Sequence, residues 1–183
     1  YKRQKISYKA GKLFLDCGAF TARQLGIELE RDRVVEIQEL FMPDKAVPLD
    51  HPFMPGMSVP VMVKLWEKTK ENIIFWQNST KLKDRIVPVL HSWNKSSLVS
   101  NLRWLQKHAD TDIIMLGSLV DPGFSEYTGF FGDRQPRKEL VDMLSFGIEY
   151  VKRYTDFEVH VTGLGSSPLT LHLAYYLGAD STD

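Results

Sequence analysis

Three aspartates and a histidine stand at matching places in this chain. Asp16 ends the run KLFLD ahead of Cys17 and Gly18, Asp50 ends AVPLD ahead of His51 and Pro52, and His91 ends RIVPVLH. Two more runs close on glycine: DIIMLGSL turns at Gly117 and Ser118 ahead of Leu119, and EVHVTGLG turns at Gly163 and Gly165. Asp183 follows LGADST. A short apolar run can be a buried strand, and a glycine after it lets the backbone turn sharply. If these strands run parallel, their ends share one rim. That rim would hold three carboxylates, an imidazole and two glycine turns offering backbone N–H groups. Carboxylates converging on a pocket suit general acid–base work and covalent catalysis at a sugar carbon. Two of them flanking an anomeric centre are what glycosyl transfer needs, because its transition state carries positive charge on the sugar. Each residue also has a plain structural use: the aspartates as loop or helix caps, His91 as the partner of a neighbouring backbone group, Ser118 as a small residue.

The elements that must position these residues alternate along the chain. Strands are expected near 12–16, 46–50, 85–91, 112–119, 158–164 and 179–183. Between them, Val34, Ile37, Leu40 and Phe41 recur at helical spacing before Pro43, and Val61, Leu65, Ile73 and Trp76 do so over residues 58–77. Asn94 is placed to cap a helix over 95–108 with a Leu98, Leu102, Leu105, Ala109 stripe. Leu140, Leu144, Ile148 and Val151 mark another after Pro136, and Ser167-Pro168 opens a last one that stops at Gly178. Residues 21–30 are ambiguous, and 120–135 form a long aromatic and glycine-containing loop.

Strands alternating with helices imply parallel pairing. An open doubly wound sheet would carry a GxGxxG-type turn after its first strand, whereas DCGAFT has one glycine. Polar or glycine residues at nearly every strand end favour a (β/α)8 TIM barrel, whose site is assembled on one rim. Such a barrel typically needs about 250 residues and this chain has 183. The expected fold is therefore α/β, a single catalytic-barrel domain over 1–183, present as an incomplete part of the barrel.

Composition sets outer limits. Twenty-three basic and 23 acidic side chains cancel, so no global field announces a nucleic-acid or membrane partner. The single cysteine, Cys17, rules out an internal disulfide and points to the cytoplasm. No CxxC or HExxH pattern occurs, so no metal site is expected within these residues, and no apolar run approaches the roughly 20 residues of a membrane span.

In motif order the chain resembles the tRNA-guanine transglycosylases, (β/α)8 enzymes that exchange a guanine in nucleic acid for a 7-deazaguanine. LDCGAF at 15–20 is similar to the family's acid-Ser-Gly-Gly-Phe strand end, residues 35–50 to its following helix and acid-terminated strand, and LGSL at 116–119 to its Gly-Gly-Leu turn. TGLGSSP is similar to Gly-Val-Gly-x-Pro, and LGADSTD to Gly-x-Asp-x-x-Asp. The resemblance implies Asp183 as the nucleophile that forms a covalent ribosyl ester and Asp16 as general base. It implies Asp50 as acceptor for the edge of the base, with His91, Gly117, Ser118, Leu119 and Gly163 lining the base pocket.

It also implies nucleic acid (tRNA, or DNA as for some relatives) and guanine or a 7-deazaguanine as partners, and a homo- or heterodimer. The family's structural zinc would be bound beyond Asp183. Departures concentrate in the base pocket: Cys17 and Ala19 replace serine and glycine, Thr21 replaces glutamine, and His91 and Trp93 replace glutamine and glycine. They leave the identity of the incoming base open. Two other readings stand beside base exchange: a non-catalytic barrel subunit, and an unrelated barrel enzyme for a phosphorylated sugar, with TGLGSSP as its phosphate turn.

Overall fold

The computed structural model describes residues 12–54, 56–117, 138–164 and 168–183. Among them, six short strands alternate with helices: β1 Phe14–Leu15, α1 Ala19–Gln24, α2 Arg31–Phe41, β2 Lys45–Ala46, α3 Val59–Ser79, β3 Val89–Leu90, α4 Lys95–His108, β4 Ile113–Leu116, α5 Lys138–Tyr154, β5 Glu158–Val161, α6 Pro168–Tyr176 and β6 Ser181–Thr182. The expected strands are present, each shorter than its apolar run. The ambiguous stretch after Phe20 resolves into α1 and a turn at Gly26, whose φ of 68° needs glycine. The aromatic loop lies outside the described residues.

Among the described residues all pairing is parallel. β1 and β2 form one small sheet, and β3-β4-β5-β6 form a second in chain order. A parallel bridge between Ala46 and Ile86 ties the two together, with the Val87 N–H donating to the Ala46 carbonyl at 2.9 Å. Phe14 of β1 stacks on His160 of β5, ring centroids 5.2 Å apart, so side chains from the first and the fifth strand meet over the same face.

The helices pack a core on the other face. Leu98, Leu102 and Leu105 of α4, Leu144, Ile148 and Val151 of α5, and Ile73 and Trp76 of α3 form one core with Leu90, Ile114, Val159 and Val161. Asn94 caps α4 as expected: its side chain accepts from the Ser97 N–H while Ser97 Oγ accepts from the Asn94 N–H, a capping box.

Two stripes depart from expectation: in α3 Val61 is exposed while Trp66 is buried, and α2 departs further. In α2 Ile37, Leu40 and Phe41 are exposed, and the buried face is Val34 with Gln38. Gln38 is 1% exposed and its amide is paired at both ends: it donates to the Val47 carbonyl at 2.8 Å and accepts from the Trp76 indole N–H at 2.8 Å. A polar side chain is buried without penalty when both ends are paired, and here the pairing pins α2 to β2 and α3.

Candidate functional site

Side chains alternate across a strand, and that alternation places the rim. Phe14 and Asp16, Val89 and His91, Met115 and Gly117, His160 and Thr162, and Ser181 and Asp183 are each two residues apart, so each pair shares a face. The second member of every pair stands just past its strand. Asp16, Asp50, His91, Gly117, Gly163 and Asp183, one from the end of each strand, line a single cavity of about 190 Å³. Six of the eight residues expected at the site thus come together; Ser118 and Leu119 lie outside the described residues. A shallower cleft of about 450 Å³ adjoins the far side of Asp50, between α1 and α3, with Arg23, Lys68 and Glu28 on its wall. Its charges balance, and Asp50 is the one strand-end carboxylate it shares.

The three carboxylates sit in different surroundings. Asp50 is buried and accepts twice: from Cys17 Sγ at 2.9 Å on Oδ1 and from His91 Nε2 at 2.6 Å on Oδ2. Burial alone would raise its pKa; the His91 hydrogen bond and charge and the Cys17 thiol outweigh that and hold Asp50 below its ordinary value. The same burial, with Asp50 and Asp16 alongside, pushes the Cys17 thiol well above its usual range. Cys17 is therefore a neutral S–H donor, not a thiolate nucleophile.

Asp16 is exposed to the cavity, its Oδ2 accepting the Gly18 N–H at 3.1 Å. Gly18 needs its φ of 77° for that turn. Partial desolvation in the recess, and then the negative Asp50, raise the Asp16 carboxyl above its ordinary value. Asp183 is held from the opposite side. His160 Nε2 lies 3.7 Å from its Oδ2, the Gly163 N–H donates to Oδ1 at 2.8 Å, and the Thr162 hydroxyl donates to Oδ2 at 3.2 Å. His160 and these donors lower the Asp183 pKa, against a partial burial that works the other way. A separation of 3.7 Å is too long for a hydrogen bond. His160 Nε2 is accordingly buried with no hydrogen-bond partner among the described residues, while its Nδ1 meets Ser181 Oγ at 2.8 Å.

His91 is wedged in place. Phe53 packs on its ring at 5.2 Å, and the Asn101 amide donates to its carbonyl at 2.9 Å. A Cβ on Gly117 would fall 2.5 Å from Val89 Cγ1 and 3.0 Å from His91 Cε1, so glycine follows β4 there and leaves room for Val89 and the imidazole. Sequence reading missed Cys17 as a donor and missed His160 and Thr162 as supports of Asp183. The signal was present in EVHVT, where the valines alternate with polar side chains that must then share the opposite face.

Among the described residues no group of His, Cys, Asp or Glu side chains is arranged to hold a metal ion, and no helix is long and apolar enough to cross a membrane. No known family model matches the chain, and no curated protein matches its sequence.

Proposed function

We propose that the chain is the larger part of a (β/α)8 barrel that exchanges a guanine in nucleic acid for a 7-deazaguanine. The barrel reading rests on strand order. The strands neighbour one another in chain order and in parallel, without the reversal that marks an open doubly wound sheet, and the Phe14–His160 stack needs the strands to curl around.

The observation that carries the activity is the convergence of all six strand ends on one cavity with two reactive carboxylates of opposite tuning. Asp183, its pKa lowered and its oxygens oriented by Gly163 and Thr162, is suited to attack C1′ of the nucleotide. The C1′–N bond to guanine breaks and a ribosyl ester to Asp183 forms. Asp16, its pKa raised, takes the proton from the incoming base as that base displaces the ester. By microscopic reversibility the same carboxyl delivers a proton to the departing guanine. Asp50 accepts from the N–H edge of the base. A base without such donors leaves the remaining lone pairs of this buried carboxylate unmatched, which discriminates strongly. No step uses a metal; the zinc segment implied by the resemblance would follow Asp183, outside this sequence.

A phosphorylated-sugar reading has less support, because the Gly163 N–H is directed at Asp183 and not outward to an anion. The test is incorporation of labelled guanine into tRNA and into duplex DNA by the full-length protein. Incorporation into one of the two identifies the substrate. No incorporation into either by folded protein would refute the proposal.

A further inference from the structure

We infer that Cys17 and His91 are positioning residues that clamp Asp50 between them, so that a fixed, ionised carboxylate meets the base while His91 itself does not. The inference rests on the base-exchange reading for the identity of the ligand, and on geometry alone for the clamp.

The family resemblance puts His91 where a glutamine would contact the base. In this chain its side chain is 1% exposed, and Nε2 is committed to Asp50 Oδ2 at 2.6 Å. Nε2 must carry the proton there, since a bare ring nitrogen would face carboxylate lone pairs. Cys17 stands where the family has serine, another small donor, and its S–H is directed at the other oxygen, Asp50 Oδ1. Two donors from two different strands fix both the rotation and the ionisation of one carboxylate, and each oxygen keeps a lone pair for a ligand.

Three further contacts hold the clamp itself: Phe53 against the imidazole, Asn101 on the His91 carbonyl, and the missing Cβ of Gly117. Such a carboxylate accepts and cannot donate. It therefore selects a base with adjacent N–H donors on one edge and penalises one that presents a carbonyl there. The charged and titratable groups around Asp50 are Asp16 and Cys17 beside β1, His51 next in sequence, and His91 after β3. Asp183 faces it across the cavity, and Arg23, Glu28 and Lys68 line the cleft behind.

Two pairs of variants separate donor from bulk: His91→Leu with His91→Gln, and Cys17→Ala with Cys17→Ser. The first of each pair removes the donor and the second keeps one. Two measurements are made on the full-length protein: the Asp50 carboxyl titration by isotope-edited NMR without ligand, and calorimetric binding of free 7-deazaguanine. The expected result is an Asp50 midpoint raised by about one unit or more in His91→Leu and Cys17→Ala, largely restored in His91→Gln and Cys17→Ser. Base affinity should fall about tenfold or more where the donor is lost and recover in the same order.

An unmoved midpoint in folded His91→Leu and Cys17→Ala overturns the clamp. So does equal loss of affinity in His91→Leu and His91→Gln with Asp50 unchanged, which would make His91 a direct contact. Shifted midpoints in a protein that binds no deazaguanine support the clamp and defeat the base-exchange reading instead. If His91→Leu does not fold, the Cys17 pair, which alters one atom, decides alone.

Discussion

Asp50 and Asp183 are the same residue type at the ends of parallel strands, both with lowered pKa, yet the protein lowers them by different means. Asp50 is sealed in and held by two side chains from other strands. Asp183 is half open and held mainly by its neighbour strand: a backbone N–H, a hydroxyl and a histidine just beyond hydrogen-bond range. A carboxylate that must form and break a bond needs access and a free lone pair. A carboxylate that only recognises needs rigidity and a dry setting, where a mismatched partner costs most. Asp16 completes the contrast, with few supports and a raised pKa, as a proton carrier requires.

If that division is right, changes at the open end should abolish turnover and leave the fold intact, while changes at the sealed end should lower stability. Asp183→Asn is expected to slow exchange by roughly 10⁴-fold or more with only a small fall in the urea midpoint, because the half-open carboxylate that His160, Gly163 and Thr162 favour as an anion is lost. Normal turnover in that variant would remove its role as nucleophile. Asp16→Asn should slow exchange by roughly 10²–10⁴-fold without loss of stability, because it removes a carboxyl that burial and Asp50 disfavour as an anion. In the wild-type protein kcat/KM for the incoming base should fall on the acid side with a midpoint above the ordinary aspartate value of 3.8, since in that half-reaction Asp16 must be ionised to act as base.

Asp50→Ala should cost about 3–5 kcal/mol in chemical denaturation, because it strands two buried donors. The sign of the pH effect follows from the lowered Asp50 pKa. Its contribution to stability is complete above 3.8, the ordinary aspartate value, and is lost as pH falls further, through the folded-state pKa. Acid unfolding should therefore be less steep in Asp50→Asn. The smallest effect is chemical: iodoacetamide at neutral pH should modify Cys17 slowly in the folded protein and quickly in denaturant, since the thiol is buried and protonated. Rapid labelling of the folded chain would show that the sealed end is open.

Strand order and the rim were legible because short runs that end on an acid, a histidine or a glycine recur six times, and parallel strands can only gather such ends together. The helices α3, α4 and α5 were legible for the same kind of reason, their buried residues following a 3.6 period. The α2 face was not. Ile37, Leu40 and Phe41 have helical spacing yet remain exposed, while Gln38 is buried because Val47 and Trp76, distant in sequence, supply its partners. The role of Cys17 was hidden likewise: nothing local says that its thiol meets Asp50, 33 residues further on. Periodicity reports which face is apolar, and long-range hydrogen bonds decide which polar residues may join it.

The absent side chain at Gly117 has a consequence for how this sequence can vary. Any residue larger than glycine there would compete with Val89 and His91 for the same volume, so the three positions form one unit of substitution. Alanine at 117 needs a smaller residue at 89, whose Cγ1 is the nearest obstacle at 2.5 Å, and a slight retreat of the imidazole at 91. Randomised libraries of this chain should show those positions changing together or not at all, and Asp50, tied to His91, should join them.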